Sequence, residues 1–170
     1  MKRKTLLFAF FCLYLTATGR AETRIITTDS RAQISPLLEL SISQQGQSEL
    51  KFGNILPSAL EAVEAGPVSI VIEVKSNSGE RYQVTQAIGS DLSNAGGETI
   101  SSQNLRFKTE SKGGSPVTDL TPVSSSSQVI YTSDALGNGD AISAQYILTV
   151  PESQAPGDYS GLLTYTVSSL

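Results

Sequence analysis

The chain has 170 residues and is acidic, with 12 Lys and Arg against 16 Asp and Glu, one cysteine and no histidine. Without histidine there is no Ser-His-Asp triad, no Cys-His pair and no His-ligated metal. The acidic balance repels phosphate backbones and argues against nucleic acid as a partner.

The first elements are targeting elements. Met1-Lys2-Arg3-Lys4 is basic, Thr5 to Thr16 (TLLFAFFCLYLT) is apolar, and Gly19-Arg20-Ala21 places small residues at a cleavage site after Ala21. That order reads as a secretory signal peptide over residues 1–21. The apolar run is shorter than the about 20 residues of a membrane span, and membrane insertion after cleavage is not expected. Cys12 lies inside this run. Lipidation is the rival reading for it, but bulky Phe10-Phe11 precede it and Leu13-Tyr14-Leu15 continue the apolar run. Four of the twelve basic residues leave with the signal and no acidic one does, so eight stand against sixteen in the exported chain. That chain has no cysteine, which excludes a disulfide framework and thiolate chemistry. Its location is expected to be secreted, in the periplasm or at the cell surface.

Residues 22–35 read as a flexible N-terminal arm, and residues 36–170 as one domain. From Pro36 onward, strand signals recur with turn signals between them. In "LLELSIS", Leu38, Leu40 and Ile42 alternate with Glu39 and Ser41; "QQGQS" is a turn; "ELKF" places Leu50 and Phe52 on one face. "SALEAVEAG" (58–66) is the one stretch of helix formers and reads as a turn of helix or a loop, stopped by Gly66-Pro67. "PVSIVIEVKSNSGERYQVTQAI" reads as a long hairpin, with Val68, Ile70, Ile72 and Val74 on one face and Tyr82, Val84 and Ile88 returning. "NLRFKTE" turns Leu105 and Phe107 inward. "VTDLTPV" is a loop or an edge strand because of Pro122. "QVIYTS" is a strand, and "AISAQYILTVP" aligns Ile142, Ala144, Tyr146, Leu148 and Val150. The closing strand places Tyr159, Gly161, Leu163, Tyr165 and Val167 on one face.

The fold class is therefore all-β, a single immunoglobulin-like antiparallel sandwich of about seven to nine strands. Few groups in it offer chemistry. No phosphate-binding or dinucleotide fingerprint appears, no acidic pair is singled out, and no cofactor is implied, so an enzyme is not expected. In "DALGNGD", Asp134, Asn138 and Asp140 form a weak calcium-loop candidate, against the plain reading of a hairpin turn. The exported chain has no tryptophan, and Tyr82, Tyr131, Tyr146, Tyr159 and Tyr165 read as core or corner residues rather than sugar platforms. Pro156 and Gly157 turn the chain sharply. Tyr159 is expected to bond its hydroxyl to backbone a few residues upstream, as in a tyrosine corner.

Two stretches carry a family likeness. "LKFGNILP" (50–57) resembles the "L-x-F-G-x-I-x-P" element of small secreted bacterial sandwiches of the spore coat protein U-like and fimbrial-subunit-like kind. "YILTVPESQAPGDYSGLLTYTV" (146–167) resembles their ending. Many such subunits carry a cysteine pair, which this chain lacks. The resemblance implies an exported immunoglobulin-like fold and a structural or adhesive role in a coat, pilus or surface layer. Self-assembly by strand addition is the mechanism expected with it, "RIITT" of the arm being a short β-prone donor. The alternative is a monomeric extracellular module that binds a sugar or a protein.

Overall fold

In this computed structural model the described residues are 31–43 and 50–170. The expected signal peptide with Cys12, residues 22–30 of the expected arm and the expected turn at 44–48 lie outside them. The chain divides into two units, Met1–Gln33 and Ile34–Leu170. The second carries every strand among the described residues: β1 (Leu38–Ser43), β2 (Val63–Ser76), β3 (Tyr82–Ile88), β4 (Leu92–Ser93), β5 (Thr99–Ile100), β6 (Leu105–Glu110), β7 (Ser115–Pro116), β8 (Thr121–Pro122), β9 (Gln128–Thr132), β10 (Asp140–Val150) and β11 (Leu163–Ser169). A single turn of 3-10 helix, Ser102–Asn104, precedes β6. The fold is the expected all-β antiparallel sandwich. One sheet has the order β1-β2-β10-β6-β8, the other β11-β3-β9-β7, and β4-β5 form a small hairpin.

The core follows from alternation. On β10, Ile142, Ala144, Tyr146, Leu148 and Val150 are all buried, and on β2 Ile70, Ile72 and Val74 face them with Ile72 opposite Ile142. From the second sheet Tyr82, Val84 and Ile88 of β3 and Ile130 and Tyr131 of β9 close the layer. Two neighbours, Ile130 and Tyr131, are buried together because the β3–β9 register shifts by one residue between Val84 and Thr85. An extra residue in one strand turns consecutive side chains inward. Each fully buried Ile, Val or Phe contributes about 1.5–3 kcal/mol through apolar area removed from water.

Three expectations are corrected. Val63–Gly66 is not helix or loop but the start of β2, paired with Leu148–Val150 across a bulge at Gly66-Pro67. Helix propensity is worth only tenths of a kcal/mol per residue, and β10 offers this segment a ladder partner far away in sequence. The bulge needs glycine: Gly66 has φ +110°, and a Cβ there would lie 2.8 Å from the Tyr146 carbonyl oxygen. Residues 50–52, expected as a strand, carry none, although Leu50 and Phe52 do pack against the core. The closing strand begins at Leu163 rather than Tyr159, the segment before it holding only an isolated bridge from Ser160 to Ser93.

The turn "DALGNGD" packs against the β2–β3 turn. Gly137 is buried at φ +61°, and a Cβ there would lie 1.9 Å from the Glu80 carbonyl oxygen. Gly79 has a similar φ of +70° but open space around it. Gly137→Ala is expected to lower stability by about 2 kcal/mol or more, and Gly79→Ala by about 1 kcal/mol. Urea denaturation of the two variants measures the difference, which reports the collision. Equal losses would show that Gly137 matters only for its backbone angle.

Candidate functional site

A sandwich has two flanks, and here they differ. On one flank the edge strands β8 and β7 are two residues long and each carries a proline, Pro122 and Pro116. Proline has no N–H to offer, so it blunts a sheet edge. Thr109 seals the space between the two sheets there. Its hydroxyl donates to the Ile130 carbonyl at 2.8 Å and accepts from the Val117 N–H at 2.7 Å, and Thr109 N–H donates to the Val117 carbonyl.

The other flank is bounded by β1 and β11, six and seven residues long. In an antiparallel ladder alternate residues direct both backbone groups at the partner and the others direct them away. Leu37 accepts from Asn77 N–H, so Leu37, Glu39 and Ser41 face β2 while Leu38, Leu40 and Ile42 face outward. On β11, Leu162 accepts from Gly89 N–H and Leu170 donates to the Arg81 carbonyl. Leu163, Tyr165, Val167 and Ser169 therefore direct their N–H and C=O groups away from β3. Among the described residues no strand pairs with either edge. The same residues that leave their backbone open point their side chains inward: Leu38, Leu40, Ile42, Leu163, Tyr165 and Val167 are half-buried against the core.

A cleft of ≈ 880 Å³ opens at this flank, between the end of β1 and the start of β11. Ile70, Ile88 and Leu148 form part of its floor, Phe52 and Ile55 one lip, and Leu162 the other. Leu162 is 71% exposed and Leu56 of the first lip 81%. The two stretches that carried the family likeness are thus the two lips of one cleft. It leaves no sign in the sequence, because its lips and floor lie far apart along the chain.

A polar chain crosses the core beside this flank. Tyr146 hydroxyl donates to Gln86 Oε1 at 2.6 Å and shares a 2.6 Å hydrogen bond with the Tyr165 hydroxyl, linking β10, β3 and β11. Gln86 Nε2 has no partner among the described residues. Burial pushes the Tyr165 phenol up to about 12, and burial together with the neighbouring Tyr165 raises Tyr146 further.

The corner residues lie on the second lip. Tyr159 hydroxyl donates to the Ala155 carbonyl, four residues upstream, at 2.8 Å, and accepts from Gln154 Nε2 at 2.8 Å. Pro156 and Gly157 lie between those partners, and Gly157 abuts the Asn94 side chain. Of the calcium-loop candidates, Asp134 and Asn138 bond each other within the turn and Asp140 does not join them. Both Asp134 oxygens accept from its own turn, from Asn138 Nδ2 at 3.0 Å and from the Leu136 and Asn138 N–H groups. These bonds hold its carboxyl below the usual range. Asp140 turns elsewhere, accepting from Tyr131 hydroxyl at 2.8 Å and Gly113 N–H at 3.1 Å. Among the described residues no group of three or more His, Cys, Asp or Glu is placed to hold a metal ion.

No known family model matches the chain, and no curated protein matches it. Among solved structures it is similar to a family 123 glycoside hydrolase from Clostridium perfringens, whose structural analysis concerned glycolipid glycan hydrolysis. The identity is 22%, the match covers 78% of this chain and 25% of that chain, and the TM-score is 0.43. The chain thus spans about a quarter of that enzyme's length, and similarity at this level says nothing of its activity.

Two measurements probe the tyrosines. Tyr159→Phe removes the bonds to Ala155 and Gln154 and is expected to lower stability by about 1 kcal/mol with an unchanged circular dichroism spectrum. No loss would show that the corner bond adds nothing. For Tyr165 the folded value lies above the unfolded one of about 10. Its contribution is therefore complete below pH 10 and lost as the pH rises toward 12, because the unfolded chain ionises first. Stability measured from pH 9 to 12 is expected to fall less steeply in Tyr165→Phe than in the parent chain. Parallel curves would mean that this hydroxyl is not held neutral by burial.

Proposed function

We propose that this chain is an exported, non-catalytic structural subunit, acting at the periplasm or cell surface, that assembles by strand addition. The arm at residues 22–35 of one copy enters the open flank of another. The observation that carries this reading is the asymmetry of the sandwich. One flank is closed by prolines and by Thr109, while the other keeps two long edges with inward-facing apolar side chains and a cleft between them. An open edge is a template for a further strand, and alternate side chains of that strand fill the apolar floor. The arm has suitable chemistry: Ile25, Ile26, Thr27 and Thr28 are β-branched, and β-branched residues favour extended backbone.

One observation favours a second reading, a monomeric binding module. The cleft volume of ≈ 880 Å³ lies within the range of ligand pockets, about 300–1,000 Å³. In that case the arm has no part in the function.

Sizing of the exported chain separates the two. The intact chain is expected to form species larger than a monomer, and a chain lacking residues 22–35 to be monomeric. A synthetic peptide of residues 22–35 is expected to stabilise the truncated chain by about 2.7 kcal/mol at a hundredfold excess over its dissociation constant. An intact chain that stays monomeric at high concentration, and a peptide without effect, would leave the second reading standing.

A further inference from the structure

The polar chain of Tyr165, Tyr146 and Gln86 does not end at Gln86. On β3, Gln86 stands directly opposite Gln128, the first residue of β9. Residues opposed in this way turn their side chains to one face, with Cβ atoms about 4.5–5.5 Å apart. Here that face is the core: Gln86 is 1% exposed and Gln128 is half-buried. Each carboxamide is held at one of its two polar atoms. Gln86 Oε1 accepts from the Tyr146 hydroxyl at 2.6 Å, and Gln128 Nε2 donates to the Pro122 carbonyl of β8 at 3.2 Å. The other two atoms, Gln86 Nε2 and Gln128 Oε1, are buried and have no partner among the described residues.

The orientation of each amide follows from its neighbours. A carbonyl oxygen only accepts, so Pro122 requires the Nε2 of Gln128 and leaves its Oε1 facing the core. Turning Gln86 over would set its own Oε1 toward that oxygen, acceptor against acceptor. The one proton of the Tyr146 hydroxyl goes to Gln86, so Tyr165 is the donor in the hydroxyl pair. A donor and an acceptor are thus left opposite each other on adjacent strands. With their other ends held, they do not bond each other. An unpartnered buried amide carries the full desolvation cost of the group, and buried polar atoms are almost always met by protein or by water. Water offers an acceptor to the first atom and a donor to the second, the two polar partners that a buried water needs. The approach is open, since Gln128 follows directly on the loop at 124–127, where Ser125, Ser126 and Ser127 are exposed.

We propose that Gln86 and Gln128 form a binding site for one buried water molecule that joins the two carboxamides. It completes a line of hydrogen bonds from the Pro122 carbonyl at the closed flank to Tyr165 at the open one. The line passes through β8, β9, β3, β10 and β11, and every donor in it points toward Pro122. The site is independent of what fills the cleft.

The test is magnetisation transfer by NMR between water and the side-chain amide protons of Gln86 in the exported chain. The transfer is expected to have opposite signs in the laboratory and rotating frames, which marks a water that tumbles with the protein and which proton exchange does not give. Gln128→Met keeps the length of the side chain and removes the acceptor. It is expected to abolish the transfer and to lower the folding equilibrium constant about tenfold. Transfer that persists in Gln128→Met would place the water elsewhere and overturn the site. A scalar coupling from Gln86 Nε2 to the Gln128 carboxamide carbon, without water transfer, would show that the amides bond each other and would overturn it too. The parent chain decides even if the variant does not fold: no transfer to Gln86 means no bound water.

Discussion

Every backbone N–H and C=O that leaves water must find a partner, and the architecture of this chain follows from how that demand is met strand by strand. In the middle of the larger sheet it is met fully, because β10 pairs on one side with β2 and on the other with β6. The paired strands then hold Ile72, Ile142, Ala144, Tyr146 and Phe107 in one layer with almost no exposure. At the margins the demand is met by other means. β7 and β8 shorten to two residues, prolines remove donors, and a threonine hydroxyl takes the place of a ladder bond. Only the flank of β1 and β11 leaves a row of groups unanswered among the described residues, and that row runs beside an apolar cleft.

The polar groups in the core belong to the same economy. Tyr146, Gln86 and Tyr165 come from three strands in both sheets, and their hydroxyl and amide bonds tie the layers together where apolar contact alone would set no register. A partly satisfied buried network is costly unless it also specifies an arrangement. Tyr165 belongs to this network, to the open edge and to the wall of the cleft. Any strand added along β11 would meet a side chain already fixed from behind.

Much of the core was legible because period-two alternation is local. Ile70, Ile72, Val74, Tyr82, Val84, Phe107, Ile142 and Tyr146 were all assigned inward from spacing, and all are buried. Where alternation competed with helix propensity, as at Val63–Gly66, the reading failed, because the deciding partner was Leu148–Val150, more than eighty positions on. Leu50 and Phe52 show the converse case. Their side chains turn inward as the spacing required, yet the backbone joins no sheet, since inward orientation does not supply a neighbour. The candidate site was least legible. Its lips, 50–57 and 154–162, and its floor on β2, β3 and β10 are brought together only by the packing of the two sheets.

By itself the sequence determined the class of structure and the limits of its chemistry. Alternation made the chain all-β, and the absence of histidine, with no cysteine after Cys12, removed whole classes of site. Only the tertiary structure decided which strands became edges, which edges were closed, and that Asn77 bonds both backbone groups of Leu37 just before β1. The physical reason is range. Side-chain orientation in a strand repeats every two residues and can be read locally, whereas strand pairing is a relation between segments far apart. An unpaired edge is defined by a neighbour that is missing, and that has no local signature.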